Sequence, residues 1–193
     1  MIIGITGGTG SGKTTLLKLM EQADVLVLDC DAIYHELLKT DTAMLAAIES
    51  SFPGTVENGV LQRKKLGQIV FSDEKALQEL NRITHAAIHA QVLRRLESRP
   101  AHTAIDAIGL FESGLDKLCD VTVAVTAPVD VRLQRLVERD RISPEYAQKR
   151  IDAQPADEWF REKCTYTLEN SGTQGDFQTK CLAFLQELGI MDP

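Results

Sequence analysis

Residues 2–17 read IIGITGGTGSGKTTLL, and this stretch decides the fold. Ile2 to Thr6 form a short apolar run that stops at glycines, after which Leu16, Leu17, Leu19 and Met20 recur with helical spacing between Thr14 and Glu21. The pattern predicts strand, glycine loop, helix. Inside it, Gly7 to Thr14 (GGTGSGKT) match G-x-x-x-x-G-K-[ST]. Backbone N–H groups surround a phosphate only where side chains do not crowd the loop, hence Gly8, Gly10 and Gly12, and the following helix turns its positive end toward the same anion. Lys13 is placed to reach the β and γ phosphates, and the Thr14 hydroxyl to ligate Mg2+. A dinucleotide fold is the rival, because Asp29 ends a second apolar run about 20 residues on, where a ribose-binding acid would lie. Its glycine register fails: counted from Gly8 and Gly10, the third glycine falls on Lys13. A triphosphate pocket is the better reading.

Outward from the loop, apolar runs at Val25 to Leu28, Thr103 to Ile108, Asp120 to Thr126 and Cys164 to Leu168 look like further buried strands, and helical stretches separate nearly all of them. Such alternation predicts a three-layer α/β/α core with a mostly parallel sheet of about five strands, whose active site gathers at the carboxyl ends of the strands. The stretch 32–100 is too long for a simple crossover and reads as an inserted, largely helical subdomain within a single domain, 1–193. Ser51-Phe52-Pro53-Gly54 and Glu57-Asn58-Gly59 interrupt it, and Ser72 precedes Asp73-Glu74-Lys75 as the expected N-cap of its last helix. A second helical excursion, 129–163, breaks at Ile142-Ser143-Pro144.

Composition narrows the function classes. The 193 residues suit about one domain, and 44% hydrophobic with 25% charged residues is the balance of a soluble globular chain, which excludes disorder, collagen and coiled coil. A net charge of −7 argues against a dedicated nucleic-acid binder. Cys30, Cys119, Cys164 and Cys181 show neither C-x-x-C spacing nor a nearby histidine, so reduced core thiols are expected rather than a zinc site or disulfides. No run is long enough to span a membrane, and Met1 leads straight into the first strand without a basic leader, so a cytoplasmic protein is expected. The number of subunits is left open.

Phosphoryl transfer to a small acceptor needs a carboxylate near the acceptor hydroxyl, cations around the transferring group and a cover that keeps water out. Asp31, just past the second strand, would lie across the cleft from the loop and is the candidate for accepting the hydroxyl proton; capping the helix over Tyr34-His35 is the alternative. Asp29 reads as a structural or magnesium-water residue. From Arg132 to Arg150 there are six basic residues against three acidic ones, a local +3 (6 − 3). Two helices joined at Ile142-Ser143-Pro144 could close as a lid carrying Arg139 to the γ phosphate, while at least half of these cations are expected on a solvated face.

Together these residues resemble the dephospho-CoA kinase family. ITGGTGSGKTT resembles its phosphate loop and Leu28-Asp29-Cys30-Asp31 its Asp-x-Asp. Gly59-Val60-Leu61-Gln62-Arg63, Ile69-Val70-Phe71, His85, Leu110-Phe111-Glu112, Arg135, Arg139, Arg150-x-x-x-Gln154 and Asn170-x-Gly172 follow in family order. The resemblance implies an ATP-dependent, Mg2+-requiring kinase of the ribose 3′-hydroxyl of dephospho-CoA, with no nucleic-acid or membrane partner. It implies a nucleotide site of Gly8, Gly10, Ser11, Gly12, Lys13, Thr14, Thr15, Asn170 and Gly172, with catalysis by Asp31, Lys13 and Arg139. Acceptor contacts fall to Asp31, Arg63, His85 and Glu112; for His85, packing within its helix is the alternative, and for Glu112 a helix N-terminal acid. The chain departs from the family at Ala86, where Pro is usual, at Ile108-Gly109 before Leu110, and at Cys30 between the aspartates. Rival functions are another small-molecule kinase with the same core, or a nucleotide-dependent switch. Against the switch, there is no Asn-Lys-x-Asp and no apolar run ending in Asp-Glu.

Overall fold

The computed structural model describes residues 1–98 and 101–192. Ile3, Ile5, Ala104, Ile105, Val123 and Val125 are fully buried, so these apolar runs are covered on both faces, as parallel strands flanked by helices must be. The chain runs β1 (Ile2–Thr6), α1 (Lys13–Gln22), β2 (Leu26–Asp29), α2 (Cys30–Thr40), α3 (Thr42–Ser51), a short hairpin β3 (Val56–Glu57) and β4 (Val60–Leu61), α4 (Arg63–Val70) and α5 (Glu74–Leu96). It continues with β5 (Thr103–Asp106), a 3-10 turn (Leu115–Leu118), β6 (Val121–Thr126), α6 (Val129–Asp140), α7 (Pro144–Asp152), α8 (Asp157–Lys163), β7 (Tyr166–Glu169) and α9 (Gln174–Glu187).

The main sheet has five strands in the order β2-β5-β1-β6-β7. β1 pairs in parallel with β5 on one side (Ile2 opposite Thr103) and β6 on the other (Ile3 opposite Val121), and β6 pairs in parallel with β7. The fold is the expected α/β architecture. Because the chain leaves β1 for one side of the sheet and later returns to the other, the loop after β1 lies at the topological switch point, where α/β sheets open a crevice.

The chain separates into two compact units, Met1–Leu28 with Pro100–Pro193, and Asp29–Arg99. In the first, Leu16, Leu19 and Met20 of α1 and Phe177, Cys181, Phe184 and Leu185 of α9 pack with the buried residues of β1 and β6. α6 and α7 add a core of their own, Leu136, Ala147 and Ile151. In the second, α2, α3 and α4 pack on α5, and Glu36 of α2 pairs with Arg95 of α5 at 2.5 Å. Ala86 falls inside α5, an unbroken 23-residue helix whose ladder a proline would interrupt.

Several expected boundaries move. The break at Glu57-Asn58-Gly59 is an antiparallel hairpin turn: Asn58 (φ 52°) and Gly59 (φ 75°) both adopt the left-handed conformation that tight two-residue turns demand. Ser72 does not cap α5. The Asp73 carboxylate accepts from the Lys75 and Ala76 amides, whereas Ser72 Oγ donates back to the Gln68 and Ile69 carbonyls. The strand expected to reach Ile108 ends at Asp106, because 108–114 turn. Of the stretch 32–100, residues 99 and 100 lie outside the described residues.

β1 also has no room to spare on one side. A Cβ at Gly4 would stand 2.8 Å from both Cys119 Sγ and Leu110 Cδ2. Gly4→Ala is therefore expected to destabilise the protein by about 1–3 kcal/mol through overpacking. Urea unfolding measures this, and an unchanged midpoint would mean that the two neighbours yield without strain.

Candidate active site

The loop between β1 and α1 is built around positions where no side chain fits. Gly7, Gly10 and Gly12 have φ of 132°, 78° and 104°, the left-handed region that glycine alone enters freely. Space is missing as well: a Cβ on Gly7 would lie 2.1 Å from the Val125 carbonyl oxygen, one on Gly8 2.2 Å from the Arg132 guanidinium and one on Gly12 2.2 Å from Asn170 Nδ2. Gly12 is also the N-cap of α1, where no side chain caps the helix and no acidic residue occupies the first turn. The helix therefore begins with N–H groups and a positive field available to an anion. Lys13 Nζ spans the loop to donate to the Gly7 carbonyl at 3.0 Å. Thr14 is exposed and Thr15 half-buried, and the buried Ser11 Oγ has no hydrogen-bond partner.

Side chains from distant segments hold this loop. Arg132, only 2% exposed, donates Nε–H to the Thr9 carbonyl at 2.9 Å and pairs through NH1 with Asp157 at 3.2 Å. Gln154 Oε1 accepts from the Thr9 amide at 2.7 Å and from Arg132 NH2 at 3.4 Å. Arg135 donates to the Gly10 and Ser11 carbonyls, each at 3.3 Å, and to Asn170 Oδ1 at 3.1 Å. Asn170 Nδ2 closes the circuit on the Ser11 carbonyl at 2.8 Å. Burial lowers the Arg135 pKa and raises that of Asp157, the latter against the attraction of Arg132. Beside the loop, Gly12, Thr15, Arg135, Asn170, Gln174 and Phe177 line a recess of about 230 Å³.

Other sequence-derived candidates occupy different settings. Arg139, expected to face the γ phosphate, is 60% exposed and directs its guanidinium to Asp140 at 2.7 and 3.1 Å. Hydrogen bonds from Arg139 and then Arg150 hold the Asp140 carboxyl down to about 2. Glu112 is exposed in the turn after β5 rather than at the start of an α-helix, and Gly172 is exposed before α9. In the second unit, the capping reading of Asp31 is corrected. Asp29 is the N-cap of α2 and accepts from the Asp31 and Ala32 amides at 2.9 and 3.0 Å, which leaves the exposed Asp31 carboxylate unused by the cap. Arg63 is exposed at the first position of α4, its positive charge countering the rise that burial gives the Tyr34 pKa, and His85 is half-buried on α5.

The sequence reading missed Arg132 and Asp157 as parts of this site. Arg132 was one cation in a basic run, and only its place among apolar positions of an amphipathic helix hinted at burial. The expectation of solvated cations holds for Lys149 and Arg141, which are exposed, and for Arg139. None of the four cysteines is joined in a disulfide, and burial pushes Cys119 and Cys181 up to about 12 and Cys164 to about 11.

The sequence model of the dephospho-CoA kinase family (CoaE) matches residues 1–176. The chain belongs to the dephospho-CoA kinase family. A dephospho-CoA kinase of Lactobacillus johnsonii is 31% identical over 193 residues, covering 97% of this chain and 98% of that one. A crystal structure from Thermus thermophilus superposes with a TM-score of 0.82 at 32% identity, covering 97% of each chain. Dephospho-CoA kinase from Campylobacter jejuni superposes with a TM-score of 0.69 at 27% identity, covering 98% of each. Among the described residues, no helix is long and apolar enough to cross a membrane.

The loop geometry makes Gly12 sensitive to the smallest addition. Gly12→Ala combines a left-handed φ with a collision against Asn170, and ADP affinity measured by calorimetry is expected to fall about a hundredfold or more. Retained affinity would show that the loop can open toward Asn170 at little cost.

Proposed function

We propose that this chain transfers the γ-phosphoryl group of ATP to the ribose 3′-hydroxyl of dephospho-CoA, giving CoA and ADP. The family match over residues 1–176, on a chain whose phosphate loop retains every glycine and Lys13, carries this reading. In the reaction the acceptor oxygen forms a bond to the γ phosphorus, the bond from that phosphorus to the β–γ bridging oxygen breaks, and the hydroxyl proton goes to a base. Asp31 is our candidate base, since its carboxylate is exposed and not engaged in the cap. Lys13 neutralises charge on the β and γ phosphates, while Gly8, Gly10, Ser11, Gly12, Thr14 and Thr15 form the cradle around them. Adenine and ribose belong in the recess beside Arg135 and Asn170, and Gly172, two residues beyond Asn170 in the chain, completes the proposed nucleotide contacts.

Mg2+ fits as a substrate-borne ion. Thr14 offers one hard hydroxyl oxygen, and among the described residues no group of three or more His, Cys, Asp or Glu is arranged to hold a metal. Magnesium characteristically takes its remaining ligands from phosphates and water, and when bound it neutralises charge developing on the β and γ oxygens. We assign acceptor recognition to the helical insertion, 32–100, through Arg63 and His85, and to Glu112. The excursion 129–163 is the lid, and four cysteines without a disulfide among them accord with a cytoplasmic setting. ADP release with dephospho-CoA, with other alcohol acceptors and with none tests the reading; release that ignores the acceptor would refute it.

Asp31→Asn is expected to reduce acceptor-dependent turnover by roughly 10²-fold or more with ADP affinity unchanged. Asp29→Ala, in contrast, is expected to cost about 1 kcal/mol of stability through the lost cap. Near-normal turnover in the Asn variant would remove Asp31 as the base.

Arg139→Ala is expected to lower kcat more than ATP affinity, and Arg139→Lys to rescue it poorly, because one ammonium cannot reproduce the guanidinium fork. An equal fall in ATP affinity and kcat would make Arg139 a ground-state clamp.

A further inference from the structure

Arg132 is the largest fully buried side chain with a charge, and nothing in the phosphoryl-transfer chemistry requires it. Its guanidinium fills the space a Cβ on Gly8 would occupy, and its backbone does the same beside Gly10, 2.9 Å from where a Cβ would stand. One edge donates to the Thr9 carbonyl; another meets Asp157, and a third approaches Gln154, which itself holds the Thr9 amide. Both backbone polar groups of Thr9, one in each of the two peptide planes that flank it, are thus fixed by side chains from beyond residue 130. Asp157 is anchored in turn, because its second oxygen accepts from the Ala127 amide at 3.2 Å. The loop has few side chains of its own with which to hold a shape.

We infer that Arg132, oriented by Asp157, is a positioning residue that fixes the phosphate loop in its anion-binding conformation. The consequence reaches the lid. The roots of the excursion at Arg132, Arg135, Gln154 and Asp157 are tied to the loop or to one another, while its tip carries Arg139, Asp140 and the small core of Leu136, Ala147 and Ile151. Closure is confined to what lies beyond those roots. The inference rests on the proposed function only in naming an adenine nucleotide as the ligand.

The test uses the full-length protein and three variants. Arg132→Lys keeps a charge but lacks the planar fork that serves Thr9, Asp157 and Gln154 at once; Asp157→Asn removes the counter-charge; Gln154→Ala, at a half-exposed position, releases the Thr9 amide. Calorimetric ADP affinity is expected to fall tenfold or more in each folded variant, and KM for ATP to rise while KM for dephospho-CoA stays within about twofold. The Arg132→Lys, Asp157→Asn pair together is expected to be no worse than about either alone, since both break one unit. A merely structural role would lower Tm and leave ADP affinity well below Tm unchanged, and that result in any folded variant overturns the inference. Wild-type protein that binds ADP but leaves dephospho-CoA unphosphorylated would instead refute the acceptor and leave this inference standing.

Discussion

A loop that wraps its N–H groups around an anion must be nearly bare of side chains, so its shape has to be imposed from outside. Everything near the carboxyl end of β1 follows from that constraint. Gly7, Gly8, Gly10 and Gly12 leave room on the loop, and Val125, Arg132 and Asn170 occupy that room from outside. The glycines permit the conformation; the long-range hydrogen bonds select it. Local chain preference alone would leave four glycines free to sample many turns.

The chief brace is an ion pair withdrawn from water, which is an expensive way to hold a loop. Arg132 is 2% and Asp157 18% exposed, and breaking such a pair by removing one partner typically costs about 3–5 kcal/mol, chiefly by stranding the other charge. Hydrophobic residues of the same volume could pack there without that liability, but they could not donate to the Thr9 carbonyl. A guanidinium can. Its planar fork supplies several fixed donors, a geometry that a lysine ammonium or an apolar side chain does not reproduce. Asn170 and Arg135 perform the corresponding task on the other side of the loop with neutral and charge-assisted hydrogen bonds.

Division of labour is visible in the carboxylates too. Asp29 and Asp31 sit two residues apart, and the helix-capping demand of α2 falls wholly on Asp29. A carboxylate already accepting two amides is held in place by the backbone. The neighbouring one keeps its lone pairs for other work, which is what a base for a hydroxyl proton needs.

The sequence by itself determined the fold class, the phosphate loop and the family. Each rests on local or periodic signals: apolar runs of strand length, glycines where backbone must approach an anion, and an ordered set of motifs. Tertiary structure alone decided which cation does what. Arg132, Arg135 and Arg139 lie on one helix at spacings of three and four, near-identical in sequence context, yet one is buried, one lies on the loop and one faces solvent with Asp140. The partners of the first two, Thr9 and Asp157 for Arg132 and Asn170 for Arg135, stand 123, 25 and 35 residues away. The same limit explains the exchanged caps at Ser72 and Asp73, where either residue type suits the position and only the path of the preceding helix chooses. Helical periodicity says which residues share a face, but the register of that face against a distant loop is set by how strands and helices pack, and no local signal encodes it.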